Sequence, residues 1–106
     1  MNWTKNELVA YTLLYAANSN YVVDNKERNV IIEKVDMNTF QKIHDEFEAD
    51  NDYQSVQKIT EGLRALNYTQ EDVDDLLEEI KVMFFADGSF DVYERIMYRS
   101  LKNILK

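Results

Sequence analysis

The chain has 106 residues, of which 45% are hydrophobic, and a formal net charge of -8. This apolar content is enough for one domain with its own core, which excludes a disordered chain and predicts a single domain over residues 1–106. The acidic balance argues against nucleic-acid partners, because binding to phosphate backbones depends on cationic contacts. The absence of Cys excludes disulfides and thiolate zinc sites, and it fits a reducing compartment.

The first residues, Met1 to Lys5, lack the basic, apolar and small-residue pattern of a secretion signal. No apolar run approaches the roughly 18 residues that a membrane span needs. We therefore expect a cytoplasmic protein without a membrane partner.

The scarcity of turn residues predicts an all-α fold. The chain contains no Pro and two Gly, whereas short strands joined by hairpins usually need both. Thr4 with Glu7 three residues later forms a capping box, which predicts a first helix that runs to about Asn18. Its apolar residues recur at helical spacing down one face, at Leu8, Tyr11, Leu14 and Tyr15.

Five further helices are predicted from polar caps and apolar periodicity. Four starts are marked, in chain order, by Asp24 with Glu27, by Asp36 or Asn38, by Thr69 with Asp72, and by Asp91 with Glu94. The third helix is expected to fade into residues 50–52, and the fourth to run through Tyr53, Val56, Ile59, Leu63 and Leu66. The pattern predicts a compact bundle of six helices, with seven as the alternative, joined by loops of two to six residues. Their expected core positions are Val30, Ile31, Val35, Phe40, Ile43, Phe47, Tyr53, Val56, Ile59, Leu63, Leu66, Val73, Leu76, Leu77, Ile80, Phe84, Met97, Leu101 and Ile104.

A nine-residue stretch occurs twice, once near each end of the chain. Residues 20–28 read Asn-Tyr-Val-Val-Asp-Asn-Lys-Glu-Arg, and residues 87–95 read Asp-Gly-Ser-Phe-Asp-Val-Tyr-Glu-Arg. The repeat predicts two quasi-equivalent helix–loop–helix units, in which the first two helices pair as the last two do. A quasi-twofold arrangement of the units would bring both loops to one side of the bundle. The identical pairs are Asp24 and Asp91, Glu27 and Glu94, and Arg28 and Arg95.

The second copy resembles the TerB-like family, small helical domains named after a tellurite-resistance protein. Its hallmark is Ala-Asp-Gly-x-apolar-Asp/Ser-x-x-Glu, which residues 86–94 fit, whereas the first copy has Asn20 and Tyr21 in place of the Asp and the Gly. The resemblance implies a non-enzymatic bundle that binds a divalent cation and acts in bacterial stress or tellurite-type resistance. Carried over by position, it implies the ligands Asp87, Asp91 and Glu94 in the second copy, and Asn20, Asp24 and Glu27 in the first.

The residue types favour Ca²⁺ or Mg²⁺ over Zn²⁺, because the chain has one His and no Cys. Calcium needs roughly six to eight oxygen ligands, so one copy needs carbonyls and water, or acids from the other copy. The second copy is not an EF-hand, because Val92 stands where that loop requires Gly and Tyr98 where it requires a bidentate Glu.

A local explanation of the loop acids stays open beside the cation site. Asp24 with Glu27, and the equivalent pair in the second copy, suit helix N-caps without any ligand. Gly88 suits a tight loop with positive φ. Asp87 discriminates between the explanations, since capping does not call for an acid four residues before the cap, although Asp is also a common turn residue.

Three functions follow as hypotheses. The first is a non-enzymatic cation-binding module, and the second is a metal-free module for an unidentified protein partner, docked on the acidic surface or in an apolar groove beside Tyr21 and Phe90. A metal-dependent hydrolase ranks third.

The remaining residues that could carry a function have simpler explanations. His44 is expected to be an exposed surface residue, and Arg28 and Arg95 are expected to pair with Asp24 and Asp91. The aromatic residues near the loops are expected in the core: Tyr15, Tyr21, Phe84, Phe85, Phe90, Tyr93 and Tyr98.

Overall fold

A computed structural model describes residues 3–17, 25–85 and 92–105 of the chain, with side chains described for all of these except residues 25–28 and 92–94. This part of the chain forms an all-α bundle of six helices, as predicted. None of these helices combines the length and the apolar character that a membrane span requires. The helices are α1 (Lys5–Ala17), α2 (Asn25–Val35), α3 (Met37–Ala49), α4 (Asp52–Ala65), α5 (Gln70–Phe84) and α6 (Val92–Leu105).

The predicted N-caps of α1, α3 and α5 are confirmed. In α1 the Thr4 backbone N–H donates to Glu7 Oε1 at 2.8 Å, and the Glu7 N–H donates to Thr4 Oγ1 at 3.2 Å. Asp36, one of the two predicted candidates, caps α3 by accepting from the Thr39 N–H at 2.7 Å. Thr69 caps α5 in a second reciprocal capping box. Each contact satisfies an N–H that the helix itself leaves without a partner.

The start of α4 differs from the prediction. Asn51 forms a capping box with Gln54, so the helix begins at Asp52, and its buried face contains Ser55, Ile59 and Gly62. Tyr53, predicted in the core, is instead 70% exposed. The helix ends in a Schellman motif, in which Asn67 has φ 56° and its N–H and that of the next residue donate to carbonyls in the last turn.

Helix α1 is the centre of the bundle and contacts each of the other five helices. Every residue from Ala10 to Ala17 is buried, so the expectation of one apolar face was too narrow. A helix that is apolar all round belongs inside a bundle, with other helices on every side. The Thr12 hydroxyl, which lies in this stretch, donates to the Leu8 carbonyl at 2.8 Å and needs no partner on another helix.

Small residues let α4 approach this central helix closely. A Cβ atom added to Gly62 would lie 3.0 Å from Leu8 Cδ1 and 3.1 Å from the Trp3 ring.

Most of the predicted core positions are confirmed. The buried ones on α2, α3, α5 and α6 are Ile31, Val35, Phe40, Ile43, Phe47, Val73, Leu76, Leu77, Ile80, Phe84 and Leu101. The predicted positions that are partly buried include Val30, Val56, Leu63 and Met97.

Candidate functional site

The sequence repeat is also a repeat in the helix boundaries. Helix α1 ends at Ala17 and α5 ends at Phe84, while α2 begins at Asn25 and α6 begins at Val92. The offset that aligns the two copies of the nine-residue stretch also aligns both helix ends and both helix starts. The connectors 18–24 and 85–91 therefore have the same length, seven residues, longer than the five or so expected for the first.

The four helices that flank these connectors contact one another. Helix α1 contacts α2, and α5 contacts α6, as the repeat predicts. In addition, α1 contacts both α5 and α6, and α2 contacts α5. The last residues of α1 and α5, Ala17 and Phe84, are 1% and 0% exposed, so each of the two connectors follows a residue that is buried in the core.

Most of the proposed cation ligands lie outside the described residues. This applies to Asn20, Asp24, Asp87 and Asp91. Glu27 and Glu94 lie in α2 and α6, each at the third position of its helix, but their side chains are also outside the described set. The third helical position is the one from which a Glu reaches back in a capping box, and it also lies beside the connector.

Within the side chains that the structure does describe, no three of the types His, Asp and Glu are grouped so that they could hold a metal ion. Some acids of α3 and α5 form ion pairs with lysines, as Glu46 does with Lys58 and Glu79 with Lys34. The side chains of the repeat residues proposed as ligands lie outside this described set.

The other residues near the loops separate into core and surface. Tyr15 and Phe84 are buried, as expected, whereas Phe85 is 47% exposed and does not belong to the core. Tyr98 packs against the core from its edge. Arg95 is exposed, and its expected partner Asp91 lies outside the described residues. The same holds for Tyr21 and Phe90 and for the side chains of Arg28 and Tyr93.

His44 is less exposed than expected. Its side chain is 24% exposed, and its ring stacks on Phe40 with centroids 5.6 Å apart. Its Nε2 lies 3.3 Å from a carboxylate oxygen of Glu48 on the next turn of α3. The ring thus covers the edge of the core and does not approach a nucleophile among the described contacts.

A polar network not predicted from the sequence joins α1 to the turn between α3 and α4. The Tyr11 hydroxyl donates to Asp50 Oδ2 at 2.7 Å and lies 3.0 Å from Ser55 Oγ. Lys58 Nζ contacts Asp50 at 2.7 Å and Glu46 at 3.0 Å. The network includes two further contacts at its edges, from Trp3 Nε1 to Glu46 at 3.3 Å and from the Tyr15 hydroxyl to Asp52 at 2.8 Å.

The charges in this network are fixed by their surroundings. Burial, together with the neighbouring carboxylates, raises the pKa of Tyr11 and of Tyr15 well above 10, so both remain neutral donors. Burial also works to raise the pKa of Asp50, but hydrogen bonds from Lys58 and Tyr11 outweigh it and hold that pKa below its usual value. A neutral phenol on a charged carboxylate is a stable arrangement that holds helices together.

The sequence contains a weak signal for this network. Asp50, Asn51 and Asp52 lie between two helices, where each can be a cap, and only Asn51 is used as the N-cap of α4. The remaining two acids are then available to the tyrosines of α1. Which tyrosines they meet depends on how α1 is rotated in the bundle, and local patterns do not determine that rotation.

The comparisons with known proteins return no match to this chain, whether with family models, with curated proteins or with solved structures.

Proposed function

We propose that this chain is a non-enzymatic TerB-like domain that binds a divalent cation, Ca²⁺ or Mg²⁺, through the residues of its two repeat loops. The observation that supports it is the shared register of the two connectors, which start and end at equivalent positions. The shared register places Asp24 and Asp91, and Glu27 and Glu94, at the same distances from two helix starts, as expected of two similar sets of oxygen ligands.

The ligand chemistry supports a hard cation. The six candidates, five carboxylates and one amide, are all oxygen donors, and Ca²⁺ takes six to eight oxygens from side chains, backbone carbonyls and water. The positive end of each helix opposes a cation nearby, so several acids are needed to offset it. In this proposal the loops act together on one ion, and the domain works in a cytoplasmic stress response through an unidentified protein partner.

The second candidate is a metal-free interaction module whose loop acids only cap helices. It is favoured by the helix starts, because α2 and α6 begin directly after Asp24 and Asp91, where an N-cap stands. The chain uses such caps elsewhere, at Thr4, Asp36 and Thr69. In this alternative Asp87 has no ligand role.

Calorimetric titration of the purified protein with Ca²⁺ and then with Mg²⁺ separates the candidates. Binding that is lost in Asp87→Asn and kept in Asp45→Asn supports the cation site, since the control removes the same charge from an exposed position of α3. A stoichiometry of one ion per chain supports a shared site, and two ions support independent loops. Absence of heat with either ion, in a protein that is folded, favours the metal-free module.

A further inference from the structure

The 67-residue offset that aligns the two connectors also pairs positions of α1 with positions of α5, and the two sets of positions differ in what covers them. On α1 this face contains Glu7, Leu8, Tyr11 and Tyr15, all of them buried. It packs on α3 and α4: Tyr11 lies against Phe47 with ring centroids 5.6 Å apart. The same offset that aligns the loops places Asp74, Asp75, Glu78 and Val82 at the equivalent positions of α5.

We name these four residues, with Glu71 one turn before them, the outer face of α5. All five are exposed, and Val82 is 53% exposed although it is apolar. The opposite side of α5 carries the buried residues of the helix. The chain therefore covers the α1 positions with its own helices, whereas the positions that the offset pairs with them on α5 are exposed.

The contacts on α1 indicate the kind of group that fits such a face. Nζ of Lys42 in α3 lies 2.6 Å from Oε2 of Glu7. The offset pairs Glu7 with Asp74 of α5, which is also an acid. Two apolar residues of the α1 face, Leu8 and Tyr11, are replaced by acids in α5, while the position of Tyr15 stays apolar as Val82. A helix that covered α5 would need cations over the acids and an apolar residue over Val82.

We propose that the outer face of α5 docks a cationic amphipathic helix of another protein. Charge complementarity selects this occupant, because four carboxylates lie on the face and the whole chain carries a net charge of -8. A second copy of the chain, a nucleic acid and an anionic membrane would all be repelled by the same charges. Within the face, Asp74 already accepts a hydrogen bond from Gln70 at 3.0 Å, and beside the face Lys34 pairs with Glu79 at 3.5 Å.

The test uses a helical peptide of about 14 residues made of Leu, Ala and Lys, long enough for about four turns. A matched peptide has Glu in place of Lys. Binding is measured by fluorescence anisotropy, and the contact surface is mapped from NMR amide shifts. A chelator is present throughout, so the result does not depend on cation binding at the loops.

Of the two peptides, we expect only the Lys peptide to bind, and its binding should shift the amide resonances of residues 71 to 85. Neutralising two acids in Asp75→Asn/Glu78→Gln should weaken the affinity for this peptide about threefold to tenfold, as expected for two exposed ion pairs. The control Asp45→Asn/Glu48→Gln changes the net charge equally on α3 and should leave the affinity near that of the parent protein. Val82→Ser should weaken binding, and Ile96→Ser, at an exposed apolar position of α6, should not.

Three results would overturn the proposal. One is no binding of the Lys peptide, and another is equal weakening by the α3 control, which would indicate general charge attraction. The third is a dimer in sedimentation experiments that Val82→Ser dissociates, which would assign the face to a second copy. Each of these outcomes leaves the titration with Ca²⁺ unaffected.

Discussion

Asn25 and Val92 begin α2 and α6 at equivalent positions of the two copies of the repeat. The preceding helices α1 and α5 also end at equivalent positions, so the helices that flank the two copies have matching bounds. The same register that supports a cation site also relates the covered face of α1 to the open face of α5. The repeat thus connects both proposals, although they concern different surfaces.

The hydrogen bond from Tyr11 to Asp50 predicts a measurable loss of stability on removal of one hydroxyl. Tyr11→Phe leaves a partly buried carboxylate and Ser55 without this donor, so the free energy of unfolding should fall by about 1–2 kcal/mol. Urea denaturation at neutral pH measures it. Tyr53→Phe, at a 70% exposed position, is the matched control and should change stability by less than about 0.5 kcal/mol. Equal effects of both variants would contradict the assigned role of the network.

The capping box of α5 predicts a second effect on stability. Thr69→Ala removes the acceptor of the Asp72 N–H and should cost about 1 kcal/mol. Thr69→Ser keeps a hydroxyl at the cap and should retain most of that stability. Thermal unfolding of the two variants side by side checks this, and a loss as large in Ser as in Ala would show that the methyl group matters and the cap does not.

The ion pair between Glu7 and Lys42 predicts a dependence on acid pH. The hydrogen bond from Lys42, followed by that from the Thr4 N–H, holds the pKa of Glu7 below its usual value of 4.5. A carboxyl whose pKa is lower in the folded state stabilises the fold above its unfolded pKa, and this contribution is lost as the pH falls through the folded value. The free energy of unfolding should therefore decline below about pH 4.5.

Removal of the lysine tests that cause. In Lys42→Gln the pKa of Glu7 lies closer to its unfolded value, so the decline with acid should become shallower. Lys81→Gln, at an exposed position of α5, removes the same charge and should leave the slope unchanged. Urea denaturation at a series of pH values measures both, and parallel slopes in all three proteins would count against the pairing.

Local signals in the sequence predicted the six helices and most of their starts. Thr4, Asp36 and Thr69 mark helix starts because the capping contacts lie within three residues, and the apolar spacing of α5 gives its buried side. Asn51 was missed because it lies in a run of polar residues, where several can be a cap. Tyr53 is exposed because α4 packs with Ser55, Ile59 and Gly62 inward, which depends on contacts with other helices.

Properties that depend on the packing of distant segments were not predictable in the same way. The central place of α1 rests on contacts with five other helices. The run of apolar and small residues from Leu8 to Ala17 is a local sign of burial on all sides, which the expectation of one apolar face overlooked. The pairing of Tyr11 with Asp50 joins residues that are far apart in the sequence. The candidate ligands were found by comparing the two copies, and their role stays a prediction.

Thermal unfolding after chelation, with about 1 mM Ca²⁺ or Mg²⁺ added back, tests the cation proposal most directly. A site with a dissociation constant near 10 μM would stabilise the fold by about 2.7 kcal/mol, which for a domain of this size raises Tm by about 10 °C. The proposal predicts this rise in the parent protein and in Asp45→Asn, and its loss in Asp87→Asn. An unchanged Tm with both ions, or a rise that Asp87→Asn retains in full, would contradict it.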